Sequence, residues 1–177
     1  MKTTAKIFLL LLLVGIVSPG CKKLLNVDFD ADFKANMNVS VPPTSLKATS
    51  YFFDETEIID PTSDADYKKY ADKIVGLEVK SVTGTVTSIS KPVTLVTGTI
   101  EVSKTGFTTV SWTVTNTPIV VGTSMTLADT DGQFSDLEAI LKDTNPITVR
   151  YYGETDQDDV DFTYEITFST TVTANPL

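Results

Sequence analysis

The chain of 177 residues carries 14 basic and 23 acidic side chains, a formal net charge of −9 at pH 7, with no histidine and a single cysteine. The missing imidazole removes the commonest general base and transition-metal ligand. An acidic chain whose one arginine is Arg150 lacks the clustered cations that nucleic acid requires. The acid–base chemistry left open is that of paired carboxylates, and no pair is set apart by its context, so the composition points to a protein that is not an enzyme.

Lys2 and Lys6 precede an apolar run, Ile7 to Val17, that ends in Ser18-Pro19-Gly20-Cys21. A charged start, an apolar stretch of about 7–15 residues and small residues behind it form an export signal. The run is too short for a membrane span of about 20 residues. Gly20-Cys21 resembles the end of the lipobox of bacterial lipoproteins, while Ser18 and Pro19 depart from its usual Leu followed by Ala or Ser. The resemblance implies cleavage after residue 20, with residues 1–20 a signal peptide and Cys21 the lipidation site, carrying diacylglycerol and fatty acyl chains such as palmitate. As the only cysteine, Cys21 cannot pair within one molecule. An exported chain then uses it as an anchor, leaves it free or pairs it between molecules.

Residues 21–26 read as a lipid-anchor tether and residues 27–177 as one domain, large enough for a real core. The stretch Lys22–Asn26 reaches at most about 18 Å when extended, which holds the body against the bilayer with Lys22 and Lys23 at the headgroups. Lys22 stands where some such lipoproteins carry the aspartate that retains them in the inner membrane. The resemblance therefore implies a cell-envelope protein of the outer membrane.

From Val27 to Val41 apolar and polar residues alternate strictly, the mark of a half-buried strand. Its length calls for a bulge or bend, with the two halves serving different sheets. Pro42-Pro43 ends it. Leu46, Ala48, Ser50 and Phe52 alternate again and predict a second strand over 46–53. After Pro61, Ser63 is placed to cap a short helix, Tyr67 and Tyr70 to dock it on a sheet, and Gly76 to stop it. Residues 77–127 are rich in Thr, Val and Ser, which predicts strands near 77–90, 94–103, 107–117 and 119–128. A parity change near Ser81 marks a bulge. Lys104-Thr105-Gly106 reads as a hairpin turn, and Trp112, in phase with Val110 and Val114, as core. Ser135 and Glu138 form a capping box for a second helix, closed by Asn145-Pro146. Ile147, Val149 and Tyr151 open another strand, and Val160 to Val172 mirror the first.

About eight strands joined by two short helices make an all-β, antiparallel β-sandwich; a closed β-barrel is the second arrangement the pattern allows. Two acidic segments are candidate calcium sites. Leu127–Glu138 resembles an EF-hand loop, placing Asp129, Asp131 and Glu138 at its third, fifth and twelfth positions, with Leu127 in place of the first acid. The alternative reading is an Asp-Gly turn entering a capped helix. Asp156, Asp158 and Asp159 gather at a hairpin tip, as hard oxygen ligands or as solvated charges that discourage edge pairing. No other cofactor is expected.

The functional reading is a module that binds an envelope protein or glycan through loops at one end of a rigid scaffold. The second reading is a structural or assembly subunit that adds a strand edge to a partner's sheet. The third is a small carboxylate-dependent hydrolase.

Overall fold

The structure, a computed structural model, describes residues 26–45 and 47–177. The expected signal peptide, Cys21, all of the expected tether but Asn26, and Leu46 lie outside the described residues. Eight strands run in chain order: β1 (Val27–Val41), β2 (Tyr51–Ile59), β3 (Ile74–Ile89), β4 (Val93–Ser103), β5 (Val110–Ile119), β6 (Ser124–Leu127), β7 (Ile147–Thr155) and β8 (Val160–Ala174). Helix α1 (Ala65–Tyr70) lies between β2 and β3, and α2 (Gln133–Lys142) between β6 and β7. The strands form two four-stranded antiparallel sheets, ordered β1-β8-β3-β6 and β2-β7-β4-β5. This is the expected β-sandwich, and it is not a closed barrel.

β1 and β8 pair residue for residue over their whole length, from Val27 opposite Ala174 to Val41 opposite Val160. No bulge interrupts this pairing, and both halves of β1 belong to one sheet rather than two. Two strands of equal length and matching alternation satisfy each other without an inserted residue. The irregularities fall on the other side of β8, where β3 shifts register at Ile74/Gly76, Val79/Ser81 and Val86/Ser88. The middle shift is the one foreseen near Ser81.

Alternation places Phe33, Met37, Val39, Tyr164, Ile166 and Phe168 in the core from one sheet, and Leu95, Ile100, Val149 and Tyr151 from the other. Phe53, Tyr151, Phe162 and Tyr164 meet across the layers: Tyr151 stacks on Tyr164 at 4.8 Å, and Phe162 stands edge-on to Phe53 at 5.7 Å. Such geometries avoid face-to-face repulsion between ring quadrupoles.

The second strand departs from the expected 46–53. It runs Tyr51–Ile59 with Phe53 and Ile59 buried, so Phe52 faces outward. Three consecutive aromatics leave the phase undetermined, and backbone pairing with β7 from Tyr51/Thr155 to Ile59/Ile147 sets it. On the same side as Phe53 this edge strand carries Glu55 and Glu57. The Glu57 carboxylate accepts the Asn36 N–H of β1 at 2.5 Å, joining the two sheet edges.

The helix ends also differ from expectation. Asp64, not Ser63, caps α1 by accepting the Tyr67 N–H at 2.8 Å, and Gly76 lies inside β3. Helix α2 starts at Gln133 behind Gly132, whose φ of 84° a glycine adopts freely. The expected capping box does not form, because Glu138 accepts the N–H of Val79 at 3.0 Å and so satisfies an edge donor of β3. Tyr67 does dock α1: its ring stands edge-on to Phe33 at 5.3 Å and its hydroxyl donates to the Leu141 carbonyl at 2.5 Å. Burial, with a smaller contribution from the Asp143 charge, pushes the Tyr67 hydroxyl pKa up to about 12. β5 begins at Val110, and β6 is shorter than foreseen.

The two ends of the sandwich differ. Val27, Ile74 and Ala174 meet at one end, where the Lys73 carbonyl accepts the Asn175 N–H at 2.9 Å. The loop 156–159 lies at the other, some 50 Å away for a fifteen-residue strand. No helix among the described residues is long and apolar enough to cross a membrane.

Candidate functional site

The outer face of the β2-β7-β4 sheet carries the most chemically specific surface. Phe52 and Asp54 alternate outward on β2, while Arg150, Tyr152 and Glu154 do so on β7. Register puts Phe52 opposite Glu154 and Asp54 opposite Tyr152. These side chains and Thr97 of β4 line a shallow cleft of about 480 Å³.

Arg150 is fixed from two directions. Its Nε and Nη2 donate to the two carboxylate oxygens of Asp54 at 2.7 and 2.6 Å, a forked pair. Its guanidinium also lies 4.5 Å from the centre of the Tyr152 ring. The Asp54 bond raises the Arg150 pKa above its ordinary value, and the same bond lowers that of Asp54. The pair neutralises itself, so what remains is a flat, ordered polar plane beside the Phe52 ring, which is 76% exposed. A side chain that apolar and that open contributes little to the fold and a great deal to any contact made on this face. No part of the arrangement offers a nucleophile paired with a base. It can bind, stack and donate hydrogen bonds.

Sequence reasoning named Arg150 only as the lone arginine and turned Phe52 inward. The usable signal was the doubled aromatics Tyr51-Phe52-Phe53 and Tyr151-Tyr152, since a strand cannot bury consecutive residues on one face.

Five of the six candidate calcium ligands accept hydrogen bonds from the protein. Asp129 accepts the Phe134 N–H at 3.4 Å, Asp131 accepts from the Thr130 hydroxyl at 3.2 Å, and Glu138 is engaged with Val79. In the acidic loop, Asp156 accepts the Thr94 N–H at 2.7 Å and Asp158 the Thr44 N–H at 2.6 Å, while Asp159 takes a positive φ of 50°. These bonds join the loop to the start of β4 and to the β1–β2 connection at the far end of the sandwich. Among the described residues, no three acid, histidine or cysteine side chains come together in a group that could hold a metal ion. Trp112 is buried as expected, with its indole N–H donating to the Ala128 carbonyl at 3.0 Å.

No family model matches the chain, and no curated protein does. Among solved structures, a chain of Desmodium yellow mottle tymovirus aligns at 8% identity and a TM-score of 0.33, covering 85% of this chain and 84% of that one. A chain from the semi-empty VLP of the giant freshwater prawn Macrobrachium rosenbergii nodavirus aligns at 6% identity and a TM-score of 0.34, covering 86% and 95%. At these scores neither likeness bears on what the chain does.

Proposed function

We propose that this chain is a lipid-anchored protein of the cell envelope, held in the outer membrane, and a non-enzymatic module that binds an envelope protein or glycan. The observation that carries the reading is the placement of the only cysteine, Cys21, directly behind an export signal. The fold is compatible with it. The tether enters β1 at Val27, and the cleft around Phe52 and Arg150 lies in the half of its sheet nearer the far end, where Tyr51 faces Thr155. A partner approaching from beyond the membrane would reach that face. This shifts the expected contact from the end loops to the outer face of a sheet.

The assembly reading draws less support. β8 is an inner strand and β1 has its Asn36 N–H occupied by Glu57, an inward-pointing charge of the kind that blunts edge pairing.

Cys21→Ser is expected to convert a membrane-bound, acylated protein into a soluble, exported and folded one, followed by fractionation and intact mass. Continued membrane retention, or loss of folding, contradicts the anchoring. Phe52→Ser tests the face. It should leave the melting midpoint within about 2 °C, because a surface change away from special features costs under about 0.5 kcal/mol. It should also weaken capture of whatever envelope component the acylated wild type retains. Equal capture by the variant places the contact elsewhere.

A further inference from the structure

Building on the anchoring reading, we infer that the end of the sandwich where β1 begins is itself a membrane-contact surface, seated on anionic lipid headgroups by Val27, Val75, Lys73 and Lys142. The first observation is a bulge. Ile74 and Gly76 pair with Ala174 and Thr173, so Val75 is the inserted residue, and a bulge re-aims the side chain it carries. Val75 is 49% exposed, and Val27, across the end of β8, is 39% exposed. Elsewhere in the strand interiors valine is buried or half-buried; at this end the backbone irregularity turns one out.

The second observation is what surrounds the two valines. Lys142 of α2 donates to the Val75 carbonyl at 2.9 Å, and Lys73 donates to the Pro176 carbonyl at 3.0 Å. Each ammonium has three donors, so both can still reach phosphate oxygens. Asp28, the nearest strand acid, accepts from the Thr173 hydroxyl at 2.7 Å, and Asp72 flanks Lys73 in sequence. In sequence, Val27 is preceded by Lys22-Lys23-Leu24-Leu25-Asn26. Aliphatic side chains ringed by lysine are the composition of a surface that rests at the boundary of headgroups and acyl chains. The opposite end carries Asp156, Asp158, Asp159 and Asp161 and is repelled by the same lipids. Apolar contact and charge thus give one orientation, and a tether reaching about 18 Å keeps this end within range.

The test uses the full acylated chain reconstituted in vesicles with and without phosphatidylglycerol. With Cys21 acylated, Val75→Cys and Asp158→Cys each provide one free thiol for a fluorophore, read by quenchers carried on the lipids. The label at Val75→Cys should be quenched several-fold more than that at Asp158→Cys, and the difference should grow with anionic lipid. Equal quenching on a chain whose mass shows acylation overturns the inference and leaves the anchor standing. A mature chain without acyl mass overturns both.

Discussion

Gly153→Ala should destabilise the domain by about 3 kcal/mol, the upper end for an overpacked core. Gly153 of β7 lies directly opposite Gly98 of β4. A methyl group there would overlap the Thr97 carbonyl oxygen and come within 2.9 Å of the Gly98 Cα. Both obstacles are backbone in a central strand pair, so relief requires parting two strands whose ladder runs on either side. Gly98→Ala is the control. Its methyl would meet the end of the Leu95 side chain at 2.5 Å, which can change rotamer, and the cost should be nearer 1 kcal/mol. Urea midpoints of the two variants with an unchanged m-value give the comparison. Equal midpoints would mean that β4 and β7 do not approach as closely as this register requires.

These glycines show where the sequence is legible and where it is not. Alternation over Val27–Val41 and Val160–Val172 identifies two long half-buried strands, because a two-residue period has a single geometric cause. The same pattern does not reveal that the two pair with each other, since pairing is a property of two segments and periodicity of one. Gly98 falls within the strand expected over 94–103 and lies inside β4, but nothing in the pattern says why a glycine stands there; only the partner strand, with Gly153 directly opposite, explains it. Phe52 failed for a third reason. When three aromatics adjoin, hydrophobicity no longer distinguishes the faces, and edge pairing with β7 decides. Glu138 fits a capping box and an EF-hand loop equally well in sequence, but the unpaired Val79 N–H of β3 takes it. The capping box does not form because a distant backbone group takes the same side chain. The face around Arg150 was invisible because its parts come from two strands nearly a hundred residues apart.

The largest electrostatic effect is expected at the C-terminal end of α2, where Lys104→Met should cost about 2–3 kcal/mol. Lys104 leaves the turn after β4, and its side chain is only 7% exposed. Its ammonium donates to the carbonyls of Asp143 and Asn145 at 2.7 and 2.8 Å and to that of Ile140 at 3.4 Å. It also pairs with the Asp143 carboxylate at 2.8 Å. The last carbonyls of a helix have no partner within it, and a cation there also meets the negative end of the helix dipole. Methionine keeps the apolar stem and removes every one of these donors. The acid limb gives an independent readout. The Lys104 hydrogen bond, followed by those of the Asn145 backbone and side chain, holds the Asp143 carboxyl down to about 2, against about 3.9 in an unfolded chain. A depressed folded pKa means stability that is complete above about pH 4 and lost as pH falls toward 2. Because the largest cause is Lys104 itself, the gap between wild type and Lys104→Met should be widest at neutral pH and narrow through that window. Urea midpoints taken from pH 7 down to 2 measure it, and a gap that stays constant across the window would show that Lys104 acts through its carbonyl bonds alone.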